Sequence, residues 1–166
     1  MTQQQDISQG PTTEVQPEQE ADSPEYIQLC IFELSGRLLA LSIFNVQEIL
    51  EDASMTPVPT TPNFLHGVIN LRGDIVPIVD IREILGFQLR ERTLDNRIMI
   101  LNAGKTRFGI LVDAISEVGR IEKRVIEQDA SMLDIADGKF ISNIVQYNDG
   151  LLVLLDVDAL CAAVQL

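Results

Sequence analysis

Arg72 stands in the turn Asn70-Leu71-Arg72-Gly73-Asp74 between two apolar runs, and packing explains its chemistry least of any residue in the chain. A guanidinium there has two uses. It can satisfy backbone carbonyls or a carboxylate such as Asp80 and tie two halves of a fold together, or it can order and touch a partner-binding surface. Asp80, Asp113 and Asp156 each end an apolar run. Such an aspartate could bind a cation, but its usual work is to satisfy its own turn or cap the next helix. His66, the single histidine, lies in Phe64-Leu65-His66-Gly67 without a GxSxG elbow, so it reads as a surface or turn residue and not as part of a triad. Gly104-Lys105-Thr106 resembles the end of a phosphate-binding loop. The first glycine of that motif would fall at Met99, however, and the segment joins two strands where the motif opens a helix. Asp156 and Asp158 lack calcium-loop spacing, and Cys30 and Cys161 stand far apart with no CxxC partner, as two ordinary buried thiols would. No catalytic residue, metal site or cofactor is therefore expected.

The elements that position these residues repeat. Leu39 to Ile49 returns without a gap as Phe108 to Val118, and Phe64 to Ile84 returns near the C-terminus. In the second pair Val68, Ile69, Ile75, Val76, Ile78, Val79, Asp80, Ile81 and Ile84 match Ile144, Val145, Leu151, Leu152, Leu154, Leu155, Asp156, Val157 and Leu160. Apolar-for-apolar matching with shared turns is the mark of a duplicated β unit. Arg72 falls opposite Asn148, so it has no counterpart.

Composition agrees with a packed β body. The 166 residues suit one domain or two very small ones sharing a core, and hydrophobic residues make up 46% of the chain with no Trp. A formal charge of −13 argues against nucleic acid and leaves protein partners. No apolar run approaches a membrane span, and the N-terminus has neither a basic start nor an apolar h-region, so a cytoplasmic protein without membrane insertion is expected. Met1 to Pro24 holds five acidic residues and no Lys or Arg, which reads as a disordered acidic tail, with residues 25–166 as the folded domain.

Within that domain the chain reads as mainly β. Tyr26 to Leu34 places Ile27, Leu29 and Ile31 on one face, Ser35-Gly36 turns, and Leu38 to Ile43 returns. Asn45 can cap a short helix carrying Val46, Ile49 and Leu50, after which Met55 to Pro59 runs extended. Phe64 to Leu71 and Ile75 to Ile81 form a hairpin. Pro77 within it predicts an edge or bulged strand. Arg97 to Asn102 pairs with Thr106 to Asp113, a polar stretch without assigned structure follows Val118 as far as Gly138, and Phe140 to Tyr147 pairs with Leu151 to Asp156 across Asn148-Asp149-Gly150. Val157 to Val164 closes as a helix. Many short strands and few helices point to small barrels. Where the copies of the Val46–Ile49 and Ile115–Val118 element meet, an apolar groove suited to an amphipathic helix is expected.

The run Thr61 to Asp80, with Asn70-Leu71-Arg72-Gly73-Asp74 at its centre, resembles the hallmark segment of the CheW family of bacterial chemotaxis coupling proteins. Val46-Gln47-Glu48-Ile49 and Phe108-Gly109-Ile110-Leu111-Val112-Asp113 are similar to the family pattern too, so the resemblance covers Tyr26 to Val164. It implies two intertwined five-stranded SH3-like barrels and no catalysis. It also implies two partners: the regulatory domain of a CheA-type histidine kinase and the helical tip of methyl-accepting chemoreceptors. Residues similar to the family's receptor-contacting set are Val46, Glu48, Gly67, Arg72, Ile115 and Val118, and the kinase-facing end lies near Gly73, Asp74 and Ile75. Leu39-Ala40 departs from the family's aromatic-Gly pair, which Phe108-Gly109 keeps. The alternative within the family is therefore a pilus-motility or surface-sensing pathway. The length leaves no room for an appended receiver domain of ~120 residues, so a stand-alone coupler is expected. A ligand-binding barrel, or a hydrolase or transferase using Asp80, Asp113 or His66, are the alternatives from other classes.

Overall fold

Short alternating apolar runs joined by two-residue turns pair as hairpins, and a computed structural model shows how four such hairpins and two further strands assemble. It describes residues 23–51, 53–59, 62–126 and 138–164. All but two residues of the expected acidic tail fall outside them. The strands are β1 (Tyr26–Leu34), β2 (Arg37–Ser42), β3 (Val46–Leu50), β4 (Leu65–Leu71), β5 (Asp74–Val79), β6 (Arg97–Ala103), β7 (Thr106–Val112), β8 (Ala114–Glu122), β9 (Ile141–Tyr147) and β10 (Gly150–Leu155). Two helices, α1 (Ile81–Leu85) and α2 (Val157–Val164), follow β5 and β10.

The strands make two five-stranded sheets, ordered β8-β1-β2-β10-β9 and β3-β6-β7-β5-β4. Replacing each strand of the first repeat by its copy in the second turns one order into the other, so the sequence repeat is a structural one. The repeats are nevertheless not the sheets. Each sheet takes its first two strands from one repeat and the other three from its twin, and this exchange intertwines the halves. The parallel contacts obey the same symmetry: Leu154 lies opposite Ala40 in one sheet and Ile78 opposite Gly109 in the other.

The core explains the aliphatic composition. Leu29 and Ile31 of β1 pack into a cluster belonging to the first sheet, and Ile98 and Ile100 of β6 into one belonging to the second. The alternate residues, Cys30, Phe32 and Leu34 on β1 and Met99, Leu101 and Ala103 on β6, meet in a larger cluster shared by both sheets. Ile27, Leu29 and Ile31 do share a face, but the opposite face of β1 is buried as well.

Three expectations are corrected. Val46 to Leu50 is a strand and not a helix, because it is held in an antiparallel ladder with β6 from Val46 opposite Leu101 to Leu50 opposite Ile98. The only helical turn there is the 3-10 segment Ile43–Asn45. Ser42 caps it, while the Asn45 amide donates to the carbonyl of Asn102 at 2.9 Å. Pro77 lies on an interior strand and not at an edge, although the β4–β5 ladder is irregular beside it, between Leu65 and Gly67; its missing N–H is tolerated because pairing of β5 with β7 begins only at Ile78. The stretch after Val118 continues as β8 to Glu122, paired with β1 up to Tyr26 opposite Glu122, and residues 127–137 of the remainder lie outside the described residues.

Candidate functional site

The ends of the strands decide what the second sheet presents. β4 and β6 run toward one end while β3, β5 and β7 start there, so the Arg72-Gly73 turn, the Gly104-Lys105 turn and the 3-10 segment before β3 all gather at that end. Arg72 and Gly73 both hold positive φ, 53° and 91°, as a two-residue hairpin turn requires. The Asn70 side chain stabilises the turn by accepting from the Gly73 N–H at 2.9 Å. Arginine is a poor choice for left-handed backbone, where Asn and Gly are favoured. The second repeat places Asn148 and Asp149 at the same points, with φ of 46° and 63°.

What Arg72 gains is a forked contact with Glu48. Its two terminal nitrogens donate to the two carboxylate oxygens at 2.8 and 3.3 Å. The arginine side chain is 70% exposed and the glutamate 21%, so this is a surface pair lying against the sheet. The hydrogen bonds to Glu48 raise the guanidinium pKa further, and Arg72 stays charged at any working pH. Because β3 and β4 are the two outer strands of the sheet, the pair also joins its edges. Close by, Thr56 exchanges hydrogen bonds of 2.8 and 2.9 Å with Val68, laying the segment after β3 against β4. Gly67 is what makes that approach possible: a Cβ there would stand 2.8 Å from the Thr56 carbonyl oxygen.

Arg72 is therefore not the buried tie between halves that a pairing with Asp80 would make it. That role belongs to Arg82, which sequence reasoning missed. Its Nε and one terminal nitrogen donate to the two oxygens of Asp80 at 2.8 and 2.6 Å, with both side chains buried. Its other terminal nitrogen donates to the Arg90 carbonyl at 3.3 Å and lies 3.9 Å from Asp113. Asp113 in turn accepts from the Ser35 N–H at 2.7 Å, which carries the network from one sheet to the other. Asp113 thus bonds across the fold, while the other two strand-end aspartates satisfy their own helix starts. Asp80 accepts from the Arg82 N–H at the start of α1, and Asp156 from the Ala159 N–H in α2.

The remaining predicted residues divide between two places. Val46 on β3 and Ile115 on β8 both pack, half-buried, on the core shared by the sheets, whereas Val118 on β8 is exposed. Gly67 is buried beneath Thr56, so it shapes the surface from below. The structure thus joins Glu48 to Arg72 directly and seats Val46 beside them on β3. Ile115 and Val118 stand on the symmetry-related strand of the other sheet. Beside Arg72, Gly73 leads into Asp74, which accepts from Arg107 at 2.7 Å, and then into Ile75, 65% exposed. Asp74, Ile75, Asn102, Lys105 and Arg107 border one open recess.

His66 is exposed on β4, and the Gly104-Lys105 turn joins strand β6 to strand β7 where a phosphate-binding loop would open a helix. Among the described residues no group of three or more His, Cys, Asp or Glu side chains could hold a metal ion. No helix among them is long and apolar enough to cross a membrane.

Comparison with known proteins places this geometry. A chemotaxis protein CheW from Thermotoga maritima is 31% identical over 140 residues, covering 83% of this chain and 89% of its own. One from Treponema pallidum is 28% identical over 163 residues, 95% of each chain. The protein PilI of Pseudomonas aeruginosa is 24% identical over 113 residues, covering 68% of this chain and 64% of its own. The crystal structure of the scaffolding protein TtCheW from Thermoanaerobacter tengcongensis superposes with a TM-score of 0.75 at 33% identity, over 82% of this chain and 88% of that one. The family model of the CheW-like domain matches residues 28–165, and the chain belongs to that family.

Proposed function

We propose that this protein is a cytoplasmic, non-enzymatic adaptor that couples methyl-accepting chemoreceptors to a CheA-type histidine kinase. Its family membership, and the description of its structural relative as a scaffold, support a binding role without catalysis. The observation that carries the residue-level reading is the exposed, sheet-bound Arg72–Glu48 pair at the tip of the β4–β5 hairpin. Both residues belong to the receptor set of Val46, Glu48, Gly67, Arg72, Ile115 and Val118. The kinase set of Gly73, Asp74 and Ile75 begins at the next residue along the same turn. A single rigid hairpin then borders both partners, so movement of one interface is felt at the other. Each interface need only be modest. A patch of ~800 Å² per partner supports micromolar binding, and repetition in an array supplies avidity.

A second reading stays within the family: coupling in a pilus-motility or surface-sensing pathway, favoured by the match to PilI. The test for either is co-elution of the purified protein with the regulatory domain of a CheA-type kinase and with a receptor signalling hairpin from the same cell, repeated with Arg72→Ala after its melting temperature is checked. Binding of both partners, with receptor binding lost in a folded variant, is the expected result. A wild-type protein that binds neither would end the adaptor reading, and which kinase and receptor bind separates the two pathways.

A further inference from the structure

Glu48 has a twin. The repeat aligns it with Glu117 on β8, and both residues follow a β-bulge at the same point of their ladders. On β3 the extra residue is Gln47, between Val46 opposite Leu101 and Glu48 opposite Ile100. On β8 it is Ser116, between Ile115 opposite Phe32 and Glu117 opposite Ile31. A bulge bends its strand and re-aims the side chain beside it. In each copy the re-aimed glutamate reaches the other outer strand of its own sheet. Glu48 accepts from Arg72 after β4, and Glu117 accepts from the hydroxyl of Tyr147 at the end of β9. β8 and β9 are the outer strands of the first sheet, so this contact closes it edge to edge as the Arg72–Glu48 pair closes the second.

The contact is kept between the copies while its chemistry is not. Leu71 occupies the position of Tyr147, and the arginine of the first copy comes one residue later, in the turn. Tyr147 is half-buried and packs on the cluster of Leu29, Ile31 and Val145. Gly119 makes room for it: a Cβ there would stand 2.8 Å from Ile31 Cδ1 and 3.3 Å from the phenol oxygen. Glu117 and Gly119 lie opposite Ile31 and Leu29, which face the first sheet's own cluster, whereas Val118 lies opposite Cys30, which faces the core shared by both sheets. The phenol therefore holds the strand on both sides of Val118 and from the face opposite to it. The hydrogen bond to Glu117, followed by burial, raises the phenol pKa, so Tyr147 is the donor at neutral pH.

We infer that Glu117 and Tyr147 are positioning residues that, by closing the first sheet, hold Ile115 and Val118 in the arrangement the receptor hairpin meets. This rests on the adaptor reading and adds to it a second edge closure, equivalent to the Arg72–Glu48 pair, beneath the other half of the receptor set. Without the contact β8 is held through β1 alone in the stretch next to its bulge. The receptor then has to order that stretch on binding, which lowers affinity although no contacting side chain has changed.

Calorimetric titration of a receptor signalling hairpin, and of the regulatory domain of the CheA-type kinase, against wild type, Tyr147→Phe, Glu117→Ala, the double variant and Glu117→Gln tests this. Tyr147→Phe keeps the ring over Gly119 and loses the hydroxyl alone. It should weaken hairpin binding about 5-fold, the worth of one hydrogen bond, and leave kinase binding unchanged. Glu117→Ala should do the same, and the double variant should be no weaker than either single one. Glu117→Gln keeps an oxygen to accept from the phenol and should retain most of the affinity. The chain has two tyrosines and no Trp, so ultraviolet absorbance in a Tyr26→Phe background reads Tyr147 alone. Its phenol should titrate above the ordinary value of about 10 and fall toward it in Glu117→Ala. Hairpin binding unchanged in Tyr147→Phe would overturn the inference, and so would an equal loss toward both partners, which marks general destabilisation. A loss confined to Glu117→Ala would overturn it too, by making Glu117 a direct contact. Wild type that binds neither partner would remove the adaptor reading, and the positioning role with it.

Discussion

Replacing Arg82 by Met removes the hydrogen-bonding head from a side chain that is only 10% exposed and leaves a carboxylate that is 6% exposed. Asp80 then loses contacts of 2.8 and 2.6 Å and keeps the Arg82 backbone N–H at 3.1 Å. One cap bond cannot offset the desolvation of a carboxylate that two guanidinium bonds previously satisfied. Breaking a buried pair from one side typically costs about 3–5 kcal/mol, and the surviving cap bond puts this case near the lower end. For a domain of this size that lowers the melting temperature by roughly 10 °C. The double variant Arg82→Met with Asp80→Asn keeps an oxygen to cap α1 but no stranded charge. It should recover about 2 kcal/mol relative to the sum of the single losses. Urea unfolding of the four proteins in this cycle gives the coupling energy directly. A loss under about 1 kcal/mol for Arg82→Met, or strict additivity, would show that water reaches Asp80 and that the pair does not tie the sheets together.

Three other outcomes follow from the same geometry. Arg72→Asn, which installs the residue of the second hairpin, should relax the turn and melt at or above wild type while receptor co-elution falls; thermal melts paired with pull-downs check it. Gly109→Ala places a Cβ 2.5 Å from Ile78 Cδ1 in a packed core, so it should destabilise by about 1–2 kcal/mol, and adding Ile78→Val, which removes that methyl, should restore most of the loss in urea unfolding. Burial pushes the Cys30 thiol pKa up, so its contribution to stability is full below the unfolded value of about 8.5 and lost only as pH rises through the higher folded one. Both thiols are buried, so Ellman titration at pH 8 should find neither Cys30 nor Cys161 reactive in the native protein and both reactive in urea.

What the sequence made legible was whatever local pattern encodes. The hairpin turns could be read because Ser35-Gly36, Arg72-Gly73 and Asn148-Asp149 interrupt alternating apolar runs, and all three pairs have positive φ. The duplication could be read because both copies bury the same positions. Val-Gln-Glu-Ile-Leu after Asn45 was opaque. Five residues with apolar positions at i, i+3 and i+4 fit a helical turn as well as a strand, and the ladder with β6, fifty residues away, decides between them. Arg82 was hidden for a similar reason. Nothing in Ile-Arg-Glu-Ile-Leu marks Arg82 as buried: Asp80 is a local partner, but the Arg90 carbonyl eight residues on and Asp113 after β7 complete its enclosure. The exchange of strands between repeats leaves no local trace, because it concerns which copy each strand joins and not what each strand is.

The candidate site emerges where the two copies cease to agree. Their interiors are held to one plan: Asp80 and Asp156 donate their N–H groups to the Phe64 and Phe140 carbonyls at 2.8 and 2.9 Å, and each then caps a helix. Ala40 against Gly109 is the kind of interior change that plan tolerates, one methyl accommodated where the neighbouring side chain is Leu154 in place of Ile78. At one sheet end the differences are of another kind. Arg72 replaces a turn-favouring Asn, and Ile75 projects further than Leu151. Each works against local folding preference or solubility, and neither fills a cavity. Two such departures gathered at one end of one sheet, with the equivalent end of the other sheet as reference, are better explained by a partner than by packing.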